Sequence, residues 1–313
     1  MNEKQKVIVI CGPTASGKTA LSIELAKKIN GEIVSADSMQ IYKDMDIGTA
    51  KPTKEEMGEI QHYLLDFVSP EERYSVAQYK QDAKKAIKEI ISKGKTPIIV
   101  GGTGLYVDSL IYEIEYNDIK LDEEYRKYLE KIAEEQGLEE LYKKAVEIDP
   151  EAMKKISLND KKRIMRVLEI YHSTGKTKTE QEKESRKNPV EYDYRVFAIN
   201  WDREILYERI NKRVDIMVDQ GLIEEVKEIL NKYDTFPTAM QGLGYKEVVD
   251  YLNGAYTKEE MIEKIKLETR RYAKRQLTWF RKNKQTIWLD GTNDIQNNIN
   301  IILEGMNWKI KKK

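Results

Sequence analysis

The stretch GPTASGKT, Gly12 to Thr19, constrains this chain more than any other. It matches G-x-x-x-x-G-K-[ST], in which backbone N–H groups curl around phosphate oxygens at a helix N-terminus. Gly12 and Gly17 permit that backbone path, and Pro13, Thr14, Ala15 and Ser16 fill it. Lys18 supplies a point charge and Thr19 a hydroxyl able to hold Mg²⁺. The flanks agree: KVIVIC (6–11) reads as a buried parallel strand, and TALSIELAKKIN after Lys18 is apolar at helical spacing and stops at Gly31. With glycine at about 7% of residues, a chain of 313 would match by chance only about once in a hundred. The bland alternative is an ordinary strand–helix turn.

EIVSADS (32–38) reads as a second strand and TPIIVGGTGLY (96–106) as a third running into a glycine turn. Between them VAQYKQDAKKAIKEIISKGK (76–95) is an amphipathic helix. Such alternation implies a doubly wound parallel sheet, with ligands at the carboxyl ends of its strands. VFAINW (196–201) resembles a returning strand, followed by one helix from Asp202 to about Lys232. A basic helix fills roughly 257–283, and TIWLDG (286–291) reads as a last strand. From about 115 to 190 the pattern is helical and charged, and KTKTEQEKESRKNP (176–189) is polar and expected to be mobile. The expected fold class is α/β: a P-loop NTPase-like core with a parallel sheet flanked by helices, in residues 1–114 and 191–313, plus a helical insertion domain, residues 115–190.

Composition limits the function. Hydrophobic residues at 40% and charged residues at 35% describe a globular protein with a real core and a heavily charged surface. Lys and Arg number 54 and Asp and Glu 54, a balance that argues against a uniformly basic nucleic-acid binder. The charge is nevertheless uneven: RRYAKRQLTWFRKNK (270–284) and the final WKIKKK are basic, whereas EEQGLEEL (134–141) is acidic. A solvated helix face or a tail explains each basic run as well as a ligand does. No apolar run approaches the roughly 20 residues of a membrane span, and MNEKQKVIVICG lacks a signal-peptide layout. Cys11 is the single cysteine, too few for an internal disulfide or a cysteine-based zinc site. A monomer in a reducing cytoplasm is expected.

Phosphoryl transfer at such a loop normally also needs a strand ending in Asp to help hold the metal. PIIV (97–100) ends instead in Gly101-Gly102-Thr103-Gly104. The strand that ends in a carboxylate is EIVSAD, at Asp37. Asp37 reads as a turn cap, a metal's outer partner or a general base. If it is a base while the loop grips a diphosphate, the diphosphate can leave and the electrophile is carbon.

GPTASGKT, DSMQIY (37–42), DIGTAKP (46–52), GGTGLY (101–106), QGLGYKE (241–247) and TRRYAKRQLTWFR (269–281) together resemble the tRNA dimethylallyltransferases, in that family's order and spacing over most of residues 7–281. The resemblance implies transfer of a dimethylallyl group from dimethylallyl diphosphate to N6 of the adenine 3′-adjacent to the anticodon, with Mg²⁺ as cofactor and the anticodon stem-loop of tRNA as partner. It implies Asp37 as general base, Thr103 placing the amine or the bridging oxygen, and Lys18 with the loop amides holding the diphosphate, Thr19 on Mg²⁺. Arg209 in DREILYERINKR (202–213) would neutralise the departing charge, with Arg203 and Arg213 as competitors. Each arginine could equally be a helix-surface ion pair.

The resemblance further implies a target base taken out of its stack. Asp37, Ser38, Met39, Gln40 and Thr103 would meet that base, with Gln40 able to read a purine edge. Lys162, Arg163 and Arg166 in NDKKRIMR (159–166) would touch the anticodon arm; the family has a proline and a glutamine where Lys161 and Lys162 stand here. Gln241, Gly244 and Tyr245 match a further RNA-facing turn. Arg270, Arg271, Lys274, Arg275 and Arg281 would face phosphates, with Tyr272 and Trp279 interleaved for stacking or packed inward. His62 in QHYLLDF reads as a packed histidine with a satisfied hydrogen bond, and Gly48, Thr49 and Lys51 as part of a loop closing the site. The resemblance is to the shorter bacterial form, since one cysteine cannot build the zinc finger that eukaryotic members often append.

Three alternatives stand beside this reading, one of them a pure RNA-binding module with a vestigial loop, which the intact Lys18, Thr19, Asp37 and Thr103 argue against. A P-loop small-metabolite kinase is weakened by the missing strand-end Asp after PIIV. An adenylate isopentenyltransferase shares the carbon electrophile, but a free nucleotide needs neither the insertion nor the basic helix.

Overall fold

The computed structural model describes residues 4–115, 122–185 and 188–306. The run Lys6–Cys11 forms strand β1, fully apolar after its first residue and buried along that length. Its side chains alternate between two layers, as a central parallel strand requires. Val7, Val9 and Cys11 pack with Tyr79, Ile87 and Tyr106, from helices Val76–Ser92 and Gly104–Ile111. Ile8 and Ile10 pack on the other side with Leu21 and Leu25 of the helix Lys18–Ile29 and with Ile299 and Ile302 of the helix Ile295–Gly305. Each such aliphatic side chain contributes about 1.5–3 kcal/mol by leaving water.

Five further strands complete the sheet: β2 (Gly31–Ser35), β3 (His62–Tyr63), β4 (Thr96–Gly101), β5 (Asp193–Asn200) and β6 (Ile287–Asp290). All pairings are parallel and the order is β3-β2-β4-β1-β5-β6. Cys11 lies opposite Gly101 on β4 and Ala198 on β5, and Ser35 opposite Val100. The ends of β2, β4 and β1 are therefore level, and whatever follows each strand emerges side by side.

The chain divides into two units, residues 1–111 with 191–313, and residues 112–190. The first carries a further apolar cluster beside the sheet, in which Ile41, Tyr42 and Met45 pack with Leu222, Val226, Tyr245 and Met261. The second has its own core, built from Leu129 and Ile132 of Glu123–Glu135, Leu141 of Leu138–Ile148, and Ile164, Met165 and Leu168 of Lys161–Thr174. Its described residues contain helices and no strand.

Two sequence expectations change. The single helix from Asp202 to Lys232 is two, Arg203–Asp219 and Leu222–Lys232, because Gly221 takes φ 101° and breaks the ladder. The stretch expected to be mobile contains a helix, Lys178–Ser185. Glu180 receives the Thr177 amide and hydroxyl at its start, and Asp149 receives the Thr179 amide at 2.8 Å and hydroxyl at 2.7 Å. β3, only two residues long, leaves too little alternation to be read. The final basic run WKIKKK lies outside the described residues. Among the described residues no helix is long and apolar enough to cross a membrane.

Candidate active site at the phosphate loop

Residues 12–17 join β1 to the helix starting at Lys18. Gly17 adopts φ 94°, a left-handed conformation that glycine tolerates best, and Ala15 holds φ 61° without that licence. The loop is braced from outside. Trp201 Nε1 donates to the Ser16 carbonyl at 3.0 Å and Arg209 Nε to the Ala15 carbonyl at 2.9 Å, with the Arg209 guanidinium 4.3 Å from the Trp201 ring centroid. In a trans peptide the carbonyl of one residue opposes the N–H of the next. Anchoring these two carbonyls on Trp201 and Arg209 points the Ser16 and Gly17 N–H groups away from those two side chains.

Lys18 is partly buried there, its Nζ donating to the Pro13 carbonyl at 2.7 Å. Burial, reinforced by the nearby Arg213 charge and opposed by Asp37, brings its pKa down to about 8. Burial likewise pulls the Arg213 guanidinium below its ordinary value, against the favourable charges of Asp37 and Glu56. Two cations crowded beside one carboxylate form a site short of negative charge. The three competing arginines separate: Arg209 supports the loop, Arg213 shares the field of Lys18 and Asp37, and Arg203 lies over the Tyr207 ring at 5.3 Å.

Asp37 stands two residues beyond β2. Its Oδ1 accepts from the Met39 N–H at 2.9 Å and the Gln40 N–H at 3.4 Å; no described residue donates to Oδ2. Thr103, beyond the end of β4, donates its N–H to the Ala36 carbonyl at 3.1 Å. Its Oγ1 accepts from the Ser38 N–H at 3.0 Å and donates to Ser38 Oγ at 3.2 Å. The carboxylate, the threonine and the phosphate loop thus occupy the ends of three adjacent strands. Tyr272 completes this wall: burial first, then the Asp37 charge, push its phenol up to about 12, and its hydroxyl is in reach of Thr103. Cys11 is not a candidate nucleophile; burial raises its thiol to about 12 and it donates to the Phe197 carbonyl. Among the described residues no group of three His, Cys, Asp or Glu side chains could hold a metal.

The remaining candidate residues are distributed more widely. Gln40 Nε2 donates to the Thr49 and Ala50 carbonyls at 3.2 and 3.1 Å, so its amide hydrogens serve the 46–51 loop. Met39 packs on Gly242. Gln241 is exposed, but Tyr245 is fully buried and its hydroxyl donates to Glu225 at 2.5 Å. Tyr245 is therefore corrected from an RNA-facing side chain to a support beneath the turn that begins at Gly244, where φ is 88°. On the helix Lys258–Phe280, Lys274 and Arg275 are exposed, Arg275 stacks over Tyr272, Arg271 pairs with Glu268, and Arg270 donates to Asn211. Trp279 faces inward, its Nε1 donating to Asp108 at 2.8 Å. In the second unit Lys162 and Arg163 are exposed on Lys161–Thr174, and Arg166 lies 3.6 Å from Glu169. His62 is the packed histidine expected, hydrogen-bonded through Nδ1 to the Ile60 carbonyl at 2.9 Å. Lys51 is held by Asp46, Asp66 and the Tyr42 carbonyl, a brace within its loop.

Two residues escaped sequence reasoning. Glu225 accepts from the Asp46, Ile47 and Gly48 N–H groups and caps their turn. Gln276 receives the Thr14 N–H at 2.9 Å and donates to the Gly102 carbonyl at 2.9 Å. A signal for Gln276 was present: it lies three residues after Ala273 and four before Phe280, on the stripe that turns inward.

A parallel sheet, a phosphate loop after its first strand, and a carboxylate at a neighbouring strand end in the field of Lys18 and Arg213 define a P-loop NTPase-like protein. Within that class, the chain belongs to the IPP transferase family, whose model matches residues 40–283. It is 55% identical over 285 residues to a tRNA dimethylallyltransferase of Acetivibrio thermocellus, covering 91% of each chain. It is 50% identical over 290 residues to one of Bacillus cereus, covering 93% of this chain and 91% of that one. Among solved structures it resembles the full-length tRNA isopentenylpyrophosphate transferase of Bacillus halodurans, with TM-score 0.72, 42% identity and 97% of each chain covered. It also resembles a eukaryotic dimethylallyltransferase captured acting on tRNA, with TM-score 0.80 and 33% identity over 99% of this chain and 81% of that one.

Proposed function

We propose that this protein is a tRNA dimethylallyltransferase, moving a dimethylallyl group from dimethylallyl diphosphate to N6 of the adenine 3′-adjacent to the anticodon. The observation that carries the reading is Asp37, whose Oδ2 receives no donor among the described residues, set beyond a strand end beside the phosphate loop and in the field of Lys18 and Arg213. The loop amides, Lys18 and Arg213 bind the diphosphate, and Arg209 holds the loop in the shape that binding needs. Asp37 takes the proton of the exocyclic amine, whose lone pair is otherwise spread into the purine. Thr103, fixed by the Ala36 carbonyl and Ser38, orients that amine. The N6–carbon bond forms as the carbon–oxygen bond breaks, its electron pair leaving with diphosphate onto preorganised cations.

Mg²⁺ fits the donor set, since it needs only one or two protein oxygens beside phosphate oxygens and waters, and Thr19 carries its hydroxyl in the first turn of the helix after the loop. When bound it neutralises diphosphate charge. The RNA would be held by Ser38, Met39 and Gln40 near the target base and by Gln241 at its turn. Lys162, Arg163 and Arg166 of the helical unit would meet the anticodon arm, and Arg270, Arg271, Lys274 and Arg275 its phosphates. A tRNA substrate suits a cytoplasmic protein, acting here as a monomer.

The test incubates the protein with Mg²⁺, dimethylallyl diphosphate labelled in its isoprenoid, and an anticodon stem-loop carrying the target adenine. Parallel tubes replace the RNA with AMP, or supply labelled ATP. Label in the stem-loop alone is the expected result. Label on AMP would favour a free-nucleotide acceptor, and phosphate moving from ATP would return the kinase reading.

A further inference from the structure

Gln276 is a polar side chain buried to 5% exposure on a helix otherwise distinguished by its exposed cations. It belongs to neither strand end nor loop, yet it is bonded to two site-forming loops through opposite ends of one amide. Its Oε1 accepts the Thr14 N–H and its Nε2 donates to the Gly102 carbonyl. The fit is close: a Cβ added at Gly102 would meet Gln276 Nε2 at 2.2 Å. The Tyr272 hydroxyl, one turn earlier, is also in reach of Gln276.

The consequence lies in the Pro13–Thr14 peptide. With the Thr14 N–H held outward by Gln276, the Pro13 carbonyl points the opposite way, to Lys18 Nζ. That one peptide plane therefore sets where the phosphate-binding ammonium waits. Released, the peptide could rotate, and Lys18 would lose the acceptor that parks it. Gln276 simultaneously pins the Gly102 carbonyl, one residue before Thr103, so both halves of the site take their register from a single side chain.

We propose that Gln276 is a positioning residue for diphosphate capture: it orients the Pro13–Thr14 peptide, and through it Lys18, while fixing the Gly101–Gly104 turn. It acts through these backbone groups and does not itself touch the reacting atoms. Only an amide serves, because one partner donates and the other accepts. A methionine of similar length meets neither need, and an ionised glutamate would set negative charge against the Gly102 carbonyl. A protonated glutamate can do both, accepting through its carbonyl oxygen and donating through its hydroxyl. Burial favours that neutral form.

This inference rests on the phosphate loop binding diphosphate and only in part on the proposed transfer, and its test separates the two. Binding of inorganic diphosphate with Mg²⁺ is measured by calorimetry for the full chain, for Gln276→Met and for Gln276→Glu, beside stem-loop affinity, transfer kinetics and thermal unfolding. Gln276→Met is expected to weaken diphosphate binding by about tenfold or more, about the cost of leaving two buried groups unpaired, with stem-loop affinity within about twofold. Gln276→Glu is expected to be weak at high pH and to approach the unsubstituted protein as pH falls, read as a ratio at each pH so that other titrations cancel. A merely structural role would lower the unfolding temperature and the stem-loop affinity together with diphosphate binding, whereas a positioning role lowers diphosphate binding selectively. Diphosphate binding unchanged in Gln276→Met, or a Gln276→Glu ratio independent of pH, would overturn the proposal. If the unsubstituted protein binds diphosphate but transfers nothing, the enzymatic reading fails while the Gln276 assignment is still decided by the binding arms.

Discussion

At the scale of single residues, the site is marked by groups held away from their ordinary chemistry. Lys18 carries a pKa of about 8 because burial and Arg213 disfavour its charge. A bound diphosphate restores the missing negative charge and raises that pKa again. The sign follows: below about pH 8 the free protein already holds the proton, so Lys18 adds no pH dependence there beyond the ionisation of diphosphate itself. Above it, affinity falls by up to about tenfold per pH unit, since the complex must take up a proton that the free protein has lost. Calorimetry with inorganic diphosphate and Mg²⁺ from neutral pH upward reads this; a level affinity beyond about pH 9 would assign the anion to other groups. Asp37 has a different signature. Its Oδ1 closes the turn at Met39 and Gln40, so Asp37→Ala removes both cap and base, whereas Asp37→Asn keeps the cap. Both variants are expected to lose about 10²- to 10⁴-fold in kcat, with tRNA affinity within a few-fold. A Asn variant that retains most of its turnover would remove Asp37 from the base role.

At the scale of elements, the helix Lys258–Phe280 joins two duties on two faces. Its inward stripe places Ala273 beneath the loop, Gln276 between the loops, and Trp279 against Gly104. A Cβ at Gly104 would lie 2.3 Å from Trp279 Cδ1, so Gly104→Ala must displace a ring that is also tethered to Asp108. Overpacking of this kind costs about 1–3 kcal/mol, and denaturant unfolding should show it as a lowered midpoint with an unchanged slope. The outward face bears Lys274 and Arg275. RNA affinity is expected to fall steeply with salt, and Lys274→Ala to flatten the log–log slope by about 0.7–0.9, the counterions of one phosphate contact. Arg271→Ala is expected to change the slope less, because Glu268 already competes for that guanidinium. Equal slopes for all three proteins would remove this face from the RNA interface.

At the scale of the whole molecule, the chain forms two units with separate cores, and the proposed function assigns capture of the isoprenoid to the first and a hold on the RNA to the second. Lys162, Arg163 and Arg166 stand on a helix whose Ile164, Met165, Val167 and Leu168 pack in the second unit's core. The triple substitution of these cations by alanine is expected to weaken stem-loop binding while leaving inorganic diphosphate binding unchanged. A filter-binding series paired with calorimetry checks it, and a parallel loss of both affinities would refute the division.

Much of this was legible in the chain, for reasons that differ from residue to residue. GPTASGKT determined the loop, because only that glycine spacing lets backbone amides surround an anion. KVIVIC and PIIV determined central strands, because apolar runs that short are stable only when buried on both faces. Asp37 and Thr103 could be nominated, since each follows a readable strand. Their adjacency could not, because strand order arises from pairing between segments far apart in sequence, and only the order β2-β4-β1 brings them together. Charge pattern likewise showed that 270–284 is basic but not which aromatic turns inward; packing against Gly104 decided that for Trp279. Tyr245 misled because its motif advertises a site while its side chain is spent beneath it. Local sequence thus determined the parts that depend on backbone propensity and periodicity. The tertiary structure alone decided which cations share the field of Asp37 and which amide locks the phosphate loop, because those are contacts between residues as distant as Thr14 and Gln276.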